Sequence, residues 1–194
     1  MTTLFIALLS QAALALPPSS TLTGENGTLL WEVREEGGQV HIHGKCYKWD
    51  IDHTAAPDLS PIHTVRTNPD GSRVTVDWNP DAVVVTLPEK QRRHEQADVW
   101  DGDTLDIRLG ENVVHGRTEL VFSVVDTGSG KIYRMDSKKV GDEQCGTAPC
   151  THVLVQLTGM LRWVGPSFNY WYDAQGKLLR FEGPVGDFSV PDGG

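Results

Sequence analysis

Residues 73–87, RVTVDWNPDAVVVTL, decide the fold class of this chain. Val74, Val76 and Trp78 alternate with polar residues, which is the period-two pattern of a strand with one buried face. Asn79-Pro80-Asp81 is a strong turn signal, and a second run rich in valine follows it at once. Two strand patterns joined by so short a turn predict an antiparallel β-hairpin.

Outward from this hairpin, the same alternation recurs between turn signals from residue 28 to the end of the chain. Because we find no internal repeat and no linker, we expect a single β-rich domain over residues 28–190. About ten short strands in one piece predict a mainly β fold, a single strongly curved antiparallel sheet that forms a half-barrel, open barrel or sandwich. The predicted strands are residues 28–35, 39–51, 63–67, 73–78, 82–87, 119–126, 131–140, 152–157, 168–172 and 177–181.

One short helix is predicted over residues 97–111. Leu105 and Leu109 are four residues apart and would share one face of that helix. Asp101 or Asp103 can cap its start, and a glycine at position 110 can end it.

Four aspartates surround Trp100 in the same segment. Their spacings of two and three residues do not match the fixed ligand positions of a calcium loop. We therefore expect helix-capping and solvated roles for these residues, which are Asp98, Asp101, Asp103 and Asp106.

The N-terminus has the pattern of a secretory signal. Residues 1–15 carry no charged side chain, and the apolar run in them is shorter than the roughly twenty residues that span a bilayer. Ala13-Leu14-Ala15 fits the small-x-small site of a signal peptidase. We predict a signal peptide over residues 1–15, a flexible segment over 16–27 and a disordered tail over 191–194, with a buried N-terminal helix as the alternative for the apolar run.

Charge and location narrow the set of partners. The net charge of −9 disfavours nucleic acid or an anionic membrane surface as the main partner. We expect no nucleic-acid partner, no transmembrane segment in the mature chain, and a periplasmic or extracellular location after cleavage near Ala15.

The chain contains three cysteines. Cys145 and Cys150 bracket a Gly-Thr-Ala-Pro turn, which is short enough to predict a disulfide between them in an oxidising compartment. Cys46 is left over, and strand alternation places it with Val40 and Ile42 on the core face, where a thiol behaves as a small hydrophobe. The odd count leaves intermolecular pairing open.

His41 and His43 form the sharpest candidate for a metal site. Alternate residues of a strand face the same side, so both imidazoles can reach one metal ion. Lys45 lies on the same face and opposes a bound cation, which favours two surface histidines as the interpretation. The third ligand stays open among His53, His63 and His152, and we predict no cofactor.

Aromatic residues concentrate near the C-terminus and are the candidate ligand-binding residues: Trp163, Phe168, Tyr170, Trp171 and Tyr172. On a strand, Phe168, Tyr170 and Tyr172 share one face while Trp171 faces the other way. They predict a sheet core with cross-strand pairs, one wall of an apolar groove, or a stacking platform for sugar rings.

The closing hairpin and the helical insert carry a resemblance. The hairpin reads aromatic-x-aromatic, a turn and then Leu-x-Arg, and it follows a leader, strands and a short insert. These stretches are residues 97–105 (ADVWDGDTL), 119–126, 131–140, 168–173 (FNYWYD) and 177–182 (KLLRFE). Over residues 28–185 the chain resembles exported bacterial β-rich proteins catalogued as a domain of unknown function, which are similar in outline to half-barrel lipoprotein carriers.

The resemblance implies a periplasmic, strongly curved antiparallel sheet, and it brings no catalytic residues with it. The chain departs from that family in its cysteine loop and in a long connection over residues 46–61. Together these features favour an exported, non-enzymatic envelope protein that binds a lipid or another apolar or amphiphilic ligand on a curved sheet. The alternatives are a metal-dependent hydrolase that uses His41 and His43, and a structural or protein-binding module.

Overall fold

The computed structural model describes residues 19–46, 48–96 and 98–190, which form one sheet of fifteen strands, one α-helix and one short 3-10 helix. Within this part of the chain, neither helix is long and apolar enough to cross a bilayer. The predicted signal peptide and the predicted C-terminal tail lie outside the described residues. The strands are β1 Ser20–Gly24, β2 Gly27–Glu36, β3 Gln39–Cys46, β4 Trp49–Ala55, β5 Pro61–Thr67, β6 Arg73–Asn79, β7 Ala82–Leu87, β8 Lys90–His94, β9 Trp100–Asp101, β10 Leu120–Asp126, β11 Lys131–Cys145, β12 Ala148–Leu157, β13 Ser167–Tyr172, β14 Leu178–Gly183 and β15 Gly186–Ser189; the helices are α1 Leu105–Val114 and the 3-10 helix Gly159–Trp163.

The strands form one open sheet in the order β8-β7-β6-β5-β4-β3-β2-β1-β15-β14-β13-β12-β11-β10-β9. Neighbours are antiparallel, apart from β9, which pairs in parallel with β10. Strands β8 and β9 are the two ends of the sheet. The prediction of a mainly β, single antiparallel sheet with one short helix is confirmed, although the strands are more numerous than the ten or so expected.

The hairpin predicted at residues 73–87 is β6 and β7, with Asn79 opposite Ala82. Its valines form a small core together with Val99 and Val125, which come from the other end of the sheet. The Trp78 Nε1–H also donates to the Val99 carbonyl at 2.8 Å. The two ends of the sheet therefore overlap and enclose an interior, although the strands do not close into a hydrogen-bonded barrel.

The larger core lies between the concave face of the sheet and α1. Leu105 and Leu109 are buried, as their spacing predicted. The Tyr172 hydroxyl donates to the Asp106 carbonyl at 2.8 Å and fixes the helix against β13. A Cβ at position 110 would lie 2.3 Å from the Gly176 carbonyl oxygen, so only glycine allows this approach.

The predicted helix boundaries are wrong by several residues at the start. Trp100 and Asp101 pair with β10 as a short strand, and the helix begins at Leu105, after Thr104, which makes no side-chain capping bond. The predicted terminator, glycine 110, lies inside the helix because it allows close packing. The turn out of the helix instead uses Gly116, whose φ is +68°.

Two other expectations are corrected. The predicted strand 39–51 is two strands, β3 and β4, so the connection expected over residues 46–61 contains β4. The segment 20–27, expected to be flexible, forms β1 and the turn into β2. Leu22 of β1 is fully buried, and β1 lies between β2 and β15 in the middle of the sheet.

The disulfide Cys145–Cys150 is confirmed. The two residues lie in β11 and β12, beside the turn that joins these strands, with their Cα atoms 5.9 Å apart. The bond therefore pins the tip of one long hairpin and does not tie distant parts of the sheet together.

Candidate ligand-binding cavity

A cavity of about 630 Å³ lies between the concave face of the sheet and α1. Its volume and mainly apolar walls are typical of pockets that bind small molecules in proteins. Strands from both halves of the sheet contribute the walls, because the sheet curls around the space. The apolar lining includes Leu29, Trp31, Trp49, Val124, Met135, Leu157, Phe168, Tyr170, Phe181 and Phe188.

One wall of the cavity is an aromatic ladder across β13, β14 and β15. Tyr170 lies opposite Phe181, and Phe181 lies opposite Phe188 in the strand register. The ring centroids are 5.1 Å and 6.4 Å apart, which is the usual spacing of interacting aromatic pairs. Cross-strand pairing of alternate residues builds this wall and leaves one side of the rings facing the cavity.

The structure distributes the five predicted binding residues over three environments. Phe168 and Tyr170 line the cavity. Tyr172 faces inward as predicted but is fully buried beneath α1. Trp171 faces outward, where it stacks on His152 at 4.2 Å, and Trp163 is 86% exposed on the 3-10 helix.

A second aromatic pair, Trp31 in β2 and Trp49 in β4, also lines the cavity, and its ring centroids are 5.7 Å apart. A Cβ at position 44 would lie 2.0 Å from the Trp31 ring, so glycine there lets the indole cover β3. Sequence reasoning missed this pair. The alternation of Leu29, Trp31 and Val33 was a usable signal, because it places Trp31 on the core face.

Asp106, in the first turn of α1, brings a carboxyl group to the lining of this apolar cavity. Burial raises the pKa of Asp106 to about 7, against the opposing effects of the Ile107 backbone N–H and the Trp31 indole. Trp31 Nε1 is itself buried beside Asp106, without a hydrogen bond of ordinary geometry in the described part of the chain. Trp31 and Asp106 form what we call the cavity floor.

A second carboxyl group, Asp103, lies at the edge of the cavity beside Arg66 and Thr127. Arg66 Nη1 is 3.3 Å from Asp103 Oδ1 and 3.0 Å from Thr127 Oγ1, and the Thr127 hydroxyl donates to Asp103. Burial and the charge of Asp101 raise the pKa of Asp103 to about 7, although Arg66 opposes them. This group of three residues closes the cavity where the two ends of the sheet overlap.

Next to this group, His53, Thr64 and Asp101 form a fully buried cluster that we call the polar seam. His53 Nδ1 lies 2.7 Å from Thr64 Oγ1 and 3.2 Å from Asp101 Oδ2, and the Thr64 hydroxyl donates to Asp101. The Asp103 backbone N–H also donates to Asp101, at 2.7 Å. Burial alone would raise the pKa of Asp101, but its interactions with His53 and Thr64 outweigh burial and hold that pKa below its usual range.

The polar seam has the residue types of a catalytic cluster but no room for a substrate. The void beside it is about 10 Å³, which is about the space that one water molecule needs. The solvated role expected for the acidic cluster is therefore wrong for Asp101 and Asp106, which are buried, and it holds for Asp98, which is exposed. The polar seam joins β9, one end of the sheet, to β4 and β5, a long-range arrangement that residue spacing does not encode.

His41 and His43 lie on the outer face of β3, on the opposite side from the buried Val40 and Ile42. His43 Nδ1 is 3.0 Å from Asp52 Oδ1 in the neighbouring strand. Within the described residues, no three or more histidine, cysteine, aspartate or glutamate side chains gather in a geometry that could hold a metal ion.

The three histidines considered as a third ligand each have other partners, and His53, although it lies opposite Ile42 in the neighbouring strand, is buried on the inner face. His53 belongs to the polar seam, and His63 pairs with Asp77 at 2.7 Å. His152 Nδ1 is 3.0 Å from the Glu143 carboxylate, and its Nε2 is 2.9 Å from the Asn169 amide oxygen. The structure therefore does not bring any of them next to His41 and His43.

Cys46 lies at the end of β3 and lines the cavity. Its sulfur accepts a hydrogen bond from the Lys48 backbone N–H at 3.4 Å. Burial raises the pKa of the thiol, so at neutral pH the group is the weakly reactive, protonated form.

Known proteins resemble this chain in fold only. No known family model matches the chain, and no curated protein matches it. Among solved structures, the chain is similar to a beta-barrel-like protein of the domain of unknown function DUF1849 from Brucella abortus. The TM-score is 0.51 at 10% identity, with 87% of this chain and 90% of that chain covered. At this identity the likeness shows the fold alone, and it agrees with the β-rich domain of unknown function that the closing hairpin resembles.

Proposed function

We propose that the protein binds an apolar or amphiphilic small molecule in the cavity between the sheet and α1, and that it does so without catalysis. The single observation that carries the proposal is a cavity of about 630 Å³ with an aromatic ladder on one wall. Protein pockets of about 300–1,000 Å³ with apolar walls and a few polar groups are the usual sites for such ligands.

The polar groups of the cavity favour an amphiphile over a pure hydrocarbon. Charged side chains, among them Arg66, Asp103 and Asp126, interrupt the otherwise apolar lining. Asp106 adds a carboxyl group at the cavity floor. A ligand with an apolar tail and a hydrogen-bonding head can cover the aromatic ladder and pair with these polar groups together.

Titration with N-phenyl-1-naphthylamine, a neutral apolar fluorophore, tests the proposal. We expect saturable enhancement of its fluorescence at a stoichiometry of one. The variant Val124→Trp fills part of the cavity from β10 and should weaken binding at least tenfold. Val121→Trp is the matched control, because Val121 lies on the same strand but is 61% exposed on the outer face.

Two results would remove the proposal. One is the absence of saturable binding by the wild-type protein. The other is equal binding by Val124→Trp, provided that circular dichroism shows both tryptophan variants to be folded. Equal loss of binding in both variants would mean that an added indole disturbs the sheet, and unfolding curves would separate that effect from a filled cavity.

The protein is also proposed to act outside the cytoplasm. The apolar leader pattern of residues 1–15 supports export, and the Cys145–Cys150 disulfide suits an oxidising compartment. N-terminal sequencing of the protein recovered from its native cell should give a chain that starts at Leu16. A retained Met1 would contradict export by this leader.

The hydrolase alternative has weaker support. It needs a third ligand next to His41 and His43, and the three histidines considered for that role are each held by other partners. Metal analysis of the purified protein, with and without His41→Ala, is its test. A stoichiometric metal that is lost in the variant would favour the hydrolase over the binding protein.

A further inference from the structure

The most exposed apolar surface of the described chain is a single turn, residues 159–164, which we call the apolar turn. Within it Met160 is 89% exposed, Trp163 86%, Val164 82% and Leu161 54%. Scattered single apolar residues are ordinary on a protein surface, but four in five positions form a patch.

The apolar turn is held in place by hydrogen bonds at both ends. The Thr158 N–H donates to the Arg134 carbonyl at 3.0 Å, and the Gly165 N–H donates to the Leu161 carbonyl at 2.8 Å. Arg162, the one charged residue of the turn, pairs with Asp136 of β11. The apolar side chains are therefore presented to solvent by an ordered 3-10 helix.

The apolar turn lies at the rim of the cavity. Leu157, just before it, and Pro166, just after it, both line the cavity, and Pro166 is exposed as well. A Cβ at position 165 would lie 2.5 Å from the Leu157 side chain, so glycine there lets the turn lie close to that wall.

We propose that the apolar turn docks the protein on an electrically neutral lipid surface. Tryptophan prefers the interface between lipid and water, and an apolar segment rimmed by polar residues binds there through the area it buries. A stable protein–protein interface needs about 20–30 residues from each partner, whereas the patch offers four large apolar side chains in six residues. Its shape thus suits lipid better than a second protein.

Charge decides which lipid surface the turn fits. The net charge of −9 repels anionic headgroups. Arg162 is already paired with Asp136, so a nearby carboxylate neutralises the positive charge of the turn. Zwitterionic lipid therefore suits the patch better than anionic lipid. This docking role goes beyond ligand binding in the cavity and holds whether or not the cavity is filled.

Vesicle co-sedimentation of the chain that starts at Leu16 tests the docking role. The described strands begin at Ser20, so this chain keeps the whole sheet and lacks the apolar leader. We expect binding to phosphatidylcholine vesicles and weaker binding to phosphatidylglycerol vesicles. Met160→Ser/Trp163→Ser should reduce binding to phosphatidylcholine at least tenfold. The control Val121→Ser/Val140→Ser removes two apolar residues that are 61% and 52% exposed elsewhere, and it should bind as wild type.

Three outcomes would overturn the docking role. They are no vesicle binding by the wild-type protein, equal binding by the Met160→Ser/Trp163→Ser variant, and stronger binding to phosphatidylglycerol. Sedimentation velocity adds a fourth: a wild-type dimer that becomes a monomer in this variant would make a second copy of the chain the occupant of the patch. Val124→Trp, which fills the cavity, should bind vesicles normally, so failure of ligand binding and failure of docking are distinguishable.

Discussion

The polar seam and the cavity floor each hold a buried aspartate, and the two carboxyl groups have opposite pKa shifts. In the seam, Asp101 accepts hydrogen bonds from Thr64, from His53 and from the backbone, and its pKa is lowered. On the floor, Asp106 faces an open apolar space, and its pKa rises to about 7. The two aspartates are only five positions apart in the chain, so their surroundings, and not their position in the chain, cause the difference.

The two aspartates differ as a structural polar group differs from a candidate functional one. A satisfied, enclosed cluster such as the polar seam stabilises the overlap of the sheet ends and has no space for a ligand. The cavity floor lies beside open space and holds a carboxyl group, Asp106, whose pKa is raised to about 7. Polar groups of this second kind are the ones a ligand can use.

The largest expected effect comes from breaking the polar seam. His53→Ala leaves the buried Asp101 carboxylate without its imidazole partner, so we expect the free energy of unfolding to fall by about 3–5 kcal/mol. Urea denaturation measures it. His63→Ala is the control, because its ion pair with Asp77 is about half exposed, and it should cost under about 1 kcal/mol. Equal, small losses in both variants would show that the seam does not hold the sheet ends together.

The next largest effect is a pH dependence that arises on the cavity floor. The pKa of Asp106 is about 7 in the folded protein and about 3.9 in an unfolded chain, so the folded state binds more protons between these values. The free energy of unfolding should therefore fall as pH rises, by roughly 2–3 kcal/mol from pH 5 to pH 8 for this group. Asp101, whose folded pKa is lowered, contributes no slope in that window.

Urea denaturation of Asp106→Asn at pH 5 and pH 8 checks this slope. The variant should lose the part of the pH dependence of the free energy of unfolding that Asp106 causes, and it should keep the part that Asp103 causes. It should also be more stable than wild type at pH 8. Asp98→Asn, which changes an exposed aspartate of the same segment, should leave the slope unchanged. An unchanged slope in Asp106→Asn would mean that the floor carboxyl is as well solvated as that of Asp98.

An intermediate effect comes from the disulfide. Cys145→Ser/Cys150→Ser opens a very short loop, so we expect a loss of about 2 kcal/mol in the free energy of unfolding. Ligand binding should be unchanged, because neither cysteine lines the cavity. A loss of N-phenyl-1-naphthylamine binding in this folded variant would show that the hairpin tip shapes the cavity.

The smallest expected effect is at His41 and His43. Both side chains lie on the outer face of β3, so His41→Ala/His43→Ala should change the free energy of unfolding by under about 0.5 kcal/mol. Thermal denaturation with and without added zinc measures this effect. A zinc-dependent stabilisation of the wild-type protein that the variant lacks would place a metal site on the surface and return the hydrolase to consideration.

Much of the fold follows from local patterns in the sequence. The hairpin at residues 73–87 and the inward face of Phe168, Tyr170 and Tyr172 follow from period-two alternation and turn residues, which are local properties. The Cys145–Cys150 bond follows from a four-residue turn. In each case the partner lies close in the chain, so sequence spacing carries the geometry.

The candidate site could be predicted only in part, because distant strands build it. Strand alternation places Phe168 and Tyr170 on the inward face, but the cavity that they line also needs Trp31 from β2 and Asp106 from α1. Local spacing predicts a solvated Asp101 because its partners, His53 and Thr64, lie 48 and 37 residues earlier in the chain. Such contacts depend on the curl of the sheet, which strand patterns do not specify.

The most direct test of the central claim locates a bound probe. Nuclear magnetic resonance on the complex with N-phenyl-1-naphthylamine can detect contacts between probe protons and aromatic ring protons. We predict contacts to Tyr170, Phe181 and Phe188 of the aromatic ladder, and none to Trp163. Probe contacts confined to Trp163 and the apolar turn, or the absence of contacts to the ladder at saturation, would contradict a binding site inside the sheet.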